Sequence, residues 1–243
     1  MLAIILTYYS CPEFLKYQLY NFKQFVKCDY KVFVIDNSPN GLLLDTSEVN
    51  YIYVQNRMDG PSARHQYAIN VGIAHAALEC ESFLIMDNDM IFLEDFNEPE
   101  QTTYLPQKRG QIEYMWLNLL YLKSIEDVEP FDFYEEDGIR TDSGGNTCLY
   151  LKKHKSECEI IEDLTKQKHN LFPDYYNDFK KLCNEYGVIE WVEGQYDILK
   201  MNKTKVFHAR QMSNWKKDSE DFVRKKKELL ENFFSKLRET HYS

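Results

Sequence analysis

The chain has no surplus of basic residues: 29 Lys and Arg stand against 39 Asp and Glu, a formal charge of −10. That balance argues against a general binder of phosphate backbones, which needs a cationic face. It still leaves room for a local basic pocket around a diphosphate. No nucleic-acid partner is expected. There is also no C-x-x-C pair. Cys11, Cys28, Cys80, Cys148, Cys158 and Cys183 are scattered, as suits free, mostly buried thiols in a reducing compartment. No apolar run approaches the roughly 18 residues that span a bilayer. The opening "MLAIILTYYS" is apolar but short and lacks the basic lead-in of a signal peptide, so it reads as a first strand. The expected localisation is cytoplasmic, or at most peripheral to a membrane surface. No internal repeat and no low-complexity linker breaks the chain.

What is present is ample apolar material. Hydrophobic residues make up 44% and aromatics 15% of 243 residues, enough to bury a large core in one α/β domain with at most a small appendage. "LAIILTYY" is a continuous apolar run, as in a parallel strand buried on both faces. Pro12 then opens a helical pattern, "PEFLKYQLYNFKQFV". "YKVFVID" and "YIYVQ" are the second and third strands, separated by the turn chemistry of "NSPNG". Asp59, Gly60 and Pro61 lead into a helix, "SARHQYAINVGIAHAAL", and "SFLIM" is the fourth strand. This order predicts a Rossmann-like, mostly parallel sheet flanked by helices, with ligands beyond the carboxyl ends of its strands.

The fourth strand runs into "DNDMIF". Asp87 and Asp89, with Asn88 between them, therefore fall where such a sheet opens its binding crevice. Two carboxylates at this spacing can face a hard cation, and Mn²⁺ or Mg²⁺ shares oxygen ligands between protein carboxylates and substrate phosphates. A solvated turn is the alternative reading of the same three residues.

Four segments in this order, "LTYYS", "VFVIDNS", "GPSARHQYAINVGI" and "FLIMDNDMIF", resemble the GT-A class of nucleotide-sugar glycosyltransferases. The resemblance covers residues 1–215, with 1–95 as the nucleotide-sugar half and 96–215 as the acceptor half. Residues 216–243 stand apart as a C-terminal amphipathic helix. The resemblance implies a nucleotide-sugar donor, a UDP-sugar first among them, and a carbohydrate acceptor. It implies base and ribose contacts at Thr7, Tyr8 and Asp36, with Arg64, Asp87 and Asn88 also on the nucleotide. It implies Asp87, Asp89 and His208 as ligands of Mn²⁺ or Mg²⁺, His208 lying in "KVFHARQMSNWKK" beside Trp215. "RTDSGGNTCLYL" resembles the acceptor segment, where Gly144 and Gly145 would let the backbone approach the sugar. "WVEGQYDILK" loosely resembles the D-Q-D stretch of retaining family 8 members, through Glu193, Gln195 and Asp197. Asp142 is the first candidate for a catalytic base and Glu193 the second, if the reaction inverts. The segments lean toward a retaining one.

The rest of the second half reads as a strand first, with a short helix as the alternative, at "QIEYMWLNLLYL", as strands at "NTCLYLKK", "VIEWVEG" and "KVFHA", a loop at "FDFYEEDGIRTDSGG" and a helix at "PDYYNDFKKLCNEYG". Trp116, Tyr121, Phe131, Phe133 and Tyr134 are either core or a sugar-stacking platform. From Asp218 on, Phe222, Leu229, Leu230, Phe233 and Leu237 share a helix face beside "RKKK". That face suits packing on the domain or contact with anionic lipid. Nucleotidyl transfer is the competing enzyme class, but "TYYSCPEF" lacks its glycine-rich basic signature. Phosphatases with D-x-D on a first strand followed by Gly-Thr do not match "DNDMIF". A sugar-nucleotide-binding module without catalysis is the competing non-enzyme reading. His65, His75, His154 and His169 carry no motif context and receive no chemistry.

Overall fold

β1 (Leu2–Tyr8) is buried along its whole length and is an inner strand of a seven-stranded sheet. The computed structural model describes residues 1–9, 12–38, 41, 47–55, 58–164 and 196–209, with positions 221, 224, 225, 228, 231 and 232. β1 pairs in parallel with β2 (Tyr30–Asp36) on one side, and β2 with β3 (Asn50–Tyr53). On its other side β1 pairs in parallel with β4 (Ser82–Asp87). The two-residue period sends Leu2, Ile4, Leu6 and Tyr8 into one apolar layer and Ala3 and Ile5 into the other. α1 (Pro12–Phe25) covers the first layer through Leu15, Phe22 and Phe25. α2 (Pro61–Ala76) covers the second through Ala68, Ile69 and Ala76. Gly72 lets α2 approach closely, since a Cβ there would lie 2.7 Å from Ile5 Cγ2.

Beyond β4 the sheet continues with antiparallel strands. A short strand, β5 (Met90–Phe92), leaves the sheet before β6 (Thr103–Arg109) and β7 (Ile112–Leu122) rejoin it. β7 pairs antiparallel with β4 and with β6. The Rossmann-like α/β expectation holds: a mostly parallel central sheet, with helices on both faces.

β5 belongs to a second sheet, reached from far along the chain. β8 (Glu135–Glu136) and β9 (Ile139–Arg140) form a small hairpin, α3 (Thr147–His154) follows, and β10 (Glu159–Ile160) pairs with β6. β11 (Glu162–Asp163), β12 (Tyr196–Met201), β13 (Thr204–Ala209) and β5 make an antiparallel sheet in that order. The other edge of β5 is closed by two amides of α1. Asn21 exchanges 2.8 Å hydrogen bonds with the backbone of Phe92 in both directions. Gln18 Nε2 donates to the carbonyls of Asp87 (2.9 Å) and Met90 (2.8 Å), gripping the acidic turn at both ends.

Two sequence expectations need correction. "NTCLYLKK" is helical, not extended. Thr147, Cys148 and Leu151 are its buried positions, a helical spacing that a short apolar run hides. Thr147 also anchors the helix start, its Oγ1 donating to Gly144 O (2.7 Å) and accepting from Met115 N–H (2.8 Å). The loop "FDFYEEDGIR" contains a hairpin, whose Asp137 (φ 52°) and Gly138 (φ 74°) take the left-handed pair that a tight two-residue turn requires. The strand "VIEWVEG", the helix "PDYYNDFKKLCNEYG", Glu193, Gln195, Trp215 and the apolar face of residues 216–243 lie outside the described residues. Described positions in that last segment are helical, with Arg224 paired to Asp221 and Glu228. Among the described residues no helix is long and apolar enough to cross a membrane.

Candidate functional site

Chain order reverses between β1 and β4, which makes their carboxyl ends a topological switch point. Thr7 and Asp87 are register partners there. Thr7 Oγ1 donates to Asp87 Oδ1 at 3.0 Å, and His65 Nε2 meets the same oxygen at 2.8 Å. Asn118, from β7, donates to Asp87 Oδ2. Burial works to raise the Asp87 pKa, but His65, His208 and the Thr7 hydroxyl together hold the carboxyl below its usual range. Burial likewise opposes the charge on His65, and Asp87, with Asp142 and Asp89, reverses the balance, leaving that imidazole's pKa raised. Both Asp87 oxygens are thus engaged by protein donors.

Asp89 is placed differently. It is 4% exposed, and its Oδ1 accepts no hydrogen bond among the described residues. His208 Nε2 stands 3.4 Å from that oxygen. The approach follows from register: β13 pairs with β5 so that His208 faces Met90, next to Asp89. On its other side His208 Nδ1 bonds Asp197 Oδ2 at 2.9 Å, across the β12–β13 pair. The indole of Trp116 packs edge-on to the ring, with centroids 5.5 Å apart. Burial disfavours the imidazolium, yet Asp89 and Asp197 together raise its pKa to about 9. Burial is also the main cause that raises the Asp89 pKa.

An orphaned, buried carboxylate oxygen beside an imidazole nitrogen fits a divalent cation. The donor set is small: among the described residues no three His, Cys, Asp or Glu side chains converge in ligand geometry. Mg²⁺-type sites that share their ion with substrate phosphates need only one or two protein ligands, so two suffice here.

Two cavities flank this arrangement. One of about 240 Å³ is lined by Thr7, Tyr8, Arg64, Asp87 and Asn88, together with His65, Asn37 and Tyr9. Asp36 stands behind this wall. It is fully buried, its Oδ1 accepting from Ser38 N–H (2.8 Å) and its Oδ2 from Tyr51 OH (2.6 Å). Arg64 directs its Nε to Met58 O at 3.1 Å. A second cavity, of about 330 Å³, is lined by Asp142, Trp116, Gln107 and Asn118, and shares His65 and Asp87 with the first.

The "DSGG" segment serves the chain's own packing. Gly144 takes φ 75°, and a Cβ there would meet the Leu117 side chain at 2.6 Å. A Cβ on Gly145 would fall 1.6 Å from Thr141 Oγ1. Asp142 Oδ1 accepts from Ser143 N–H at 2.8 Å, so the residue is a turn former as well as a cavity wall. Of the aromatic candidates, Tyr121 and Phe131 are core, Phe133 lies under Arg140, Tyr134 faces Lys152, and Trp116 alone of the five lines the second cavity.

Three contributors escaped sequence reasoning: Gln18, His65 and Asn118. Gln18 carried a usable signal, a polar residue within the apolar stripe of α1 between Leu15 and Phe22. His65 and Asn118 carried none, because their role depends on where α2 and β7 end up. Asp197 belongs to the stretch that loosely resembles D-Q-D, and the structure sets its carboxylate against His208 Nδ1.

No family model matches the chain, and no curated protein matches it. Among solved structures, it superposes on S. aureus TarS with a TM-score of 0.30 and 16% identity, over 45% of this chain and 22% of that one. It superposes on the galactosyltransferase LgtC, in complex with donor and acceptor sugar analogs, with a TM-score of 0.39 and 9% identity, over 73% of this chain and 78% of that one. The chain thus spans about a fifth of TarS. Likeness at these scores carries no inference about activity.

Proposed function

We propose that the chain is a divalent-metal-dependent glycosyltransferase of the GT-A type, moving a sugar from a nucleoside-diphosphate sugar, a UDP-sugar in the first instance, to a carbohydrate hydroxyl. One observation carries the reading: Asp89, whose Oδ1 accepts no hydrogen bond among the described residues, and His208 meet at 3.4 Å although a long stretch of chain separates them, and their neighbours Asn88 and Trp116 each line one of the two cavities. Asp89 and His208 would hold Mn²⁺ or Mg²⁺. When bound, the ion supplies Lewis-acid neutralisation of the departing diphosphate.

The protein's own groups do the positioning. Gln18 holds the acidic turn by its two flanking carbonyls. Thr7, His65 and Asn118 fix Asp87 as the wall between the two cavities. The nucleotide suits the first cavity, where Tyr8, Arg64 and Asn88 line it. The transferred sugar and its acceptor suit the second, beside Trp116. In an inverting reaction Asp142 would take the acceptor proton there; a retaining reaction needs no such base.

The test is a thermal-shift screen of UDP, GDP and UDP-sugars with and without Mn²⁺, followed by hydrolysis assays on the stabilising sugars. Mn²⁺-dependent stabilisation by UDP and slow hydrolysis of at least one UDP-sugar are expected. Stabilisation without turnover of any sugar would make the chain a binding module. Stabilisation by UDP that ignores Mn²⁺ would remove the metal. Peripheral membrane contact through residues 216–243 is a separate proposal, checked by liposome flotation of the full chain against one ending at Lys217.

A further inference from the structure

We propose that Asp197, acting through His208, makes this cation site prefer Mn²⁺ to Mg²⁺. The inference rests on the metal-site reading above and deepens it. Asp197 is 3% exposed and His208 5%, and the pair faces across β12 and β13 in backbone register. The 2.9 Å bond to Nδ1 therefore fixes the ring plane and leaves Nε2 directed at Asp89. Trp116 packs against the ring and restricts its rotation further.

This geometry has a chemical consequence. A carboxylate on the far nitrogen of a ligating imidazole sets its orientation and raises its strength as a donor. Mg²⁺ takes oxygen ligands and holds its water tightly, so it gains little from a nitrogen ligand. Mn²⁺ also favours oxygen ligands, but it stands on the first-row series whose affinity extends to nitrogen donors, at its weak end, and Mg²⁺ does not; a stronger imidazole donor therefore helps Mn²⁺ more than Mg²⁺. With Asp89 and His208 as the two protein ligands, half of that set is imidazole. Asp197 touches neither substrate nor ion in this scheme, so it is a positioning residue.

The experiment is calorimetric titration of UDP into the full-length protein at saturating and limiting Mn²⁺ or Mg²⁺, giving an apparent affinity for each ion. Wild type should bind Mn²⁺ more tightly than Mg²⁺. In Asp197→Leu, Mn²⁺ affinity should fall about 10–100-fold, with Mg²⁺ affinity changing much less, so that the preference collapses. Asp197→Asn, whose amide oxygen can still accept from Nδ1–H, should restore part of it. His208→Asp should favour Mg²⁺. UDP affinity without any ion reports whether each variant keeps its nucleotide cavity. An equal loss for both ions would mean that Asp197 only supports the fold, and would overturn the proposal. So would a wild-type protein that binds both ions equally. A wild type in which neither ion alters UDP binding would instead sink the metal-site reading itself.

Discussion

Asp87 and Asp89 are two residues apart, yet they belong to different regions of the molecule. Asp87 ends β4 in the large sheet, and its carboxylate is met by Thr7, His65 and Asn118. Asp89 stands at the start of the small sheet, where its Oδ1 has no hydrogen-bond donor among the described residues and His208 arrives across β13. One acidic triplet thus joins a region assembled from neighbouring β-α units to one assembled from distant strands. The first carboxylate is a fixed wall. The second is the group with bonding capacity left over. The difference shows why D-x-D spacing alone says little: its two acids need not share a role.

The sharpest way to break this contrast is to remove each acid in turn. Asp89→Ala should lower Mn²⁺-dependent UDP-sugar turnover about a thousandfold, several kcal/mol of lost charge stabilisation. Asp87→Asn, which keeps the shape but weakens the attachment of His65, should cost about tenfold, near 1.4 kcal/mol. Equal losses in steady-state assays would mean that both acids serve the ion and that the division is false.

At the junction the expected effect falls first on stability and only secondarily on the ion. Gln18→Ala leaves the carbonyls of Asp87 and Met90 without their amide donor and should destabilise the fold by about 1–3 kcal/mol in urea unfolding. It should also weaken Mn²⁺ binding more than metal-free UDP binding, because the turn carrying Asp89 loosens. A comparable loss, about 1–3 kcal/mol by overpacking, is expected for Gly145→Ala, whose new methyl would collide with Thr141. There the UDP affinity of the folded fraction should stay unchanged. A specific loss of acceptor binding would instead return the glycine pair to the substrate.

These expectations also mark what could be read from the chain alone. The parallel half was legible because each strand is a continuous apolar run and each helix begins at proline. The approach of His208 to Asp89 was legible only through resemblance. Nothing local in "KVFHA" says that its strand will pair with Met90 to Phe92. What Gly144 and Gly145 pack against is illegible for a related reason. A glycine pair signals close approach, but the partner, here Leu117 and Thr141, is set by tertiary packing. Helix α3 was mistaken for a strand because "TCLYL" is too short for its period to show. A ribose contact at Asp36 is implied by the resemblance alone. The burial of Asp36 against Tyr51 and Ser38 depends on β3 closing the edge beside it.

The most direct measurement is UDP affinity by calorimetry, with and without Mn²⁺, in wild type and His208→Ala. If Asp89 and His208 share a cation that meets the diphosphate, Mn²⁺ should tighten UDP binding at least about tenfold in wild type, or 1.4 kcal/mol, and hardly at all in the variant. Identical UDP affinities in wild type with and without Mn²⁺ would contradict the account.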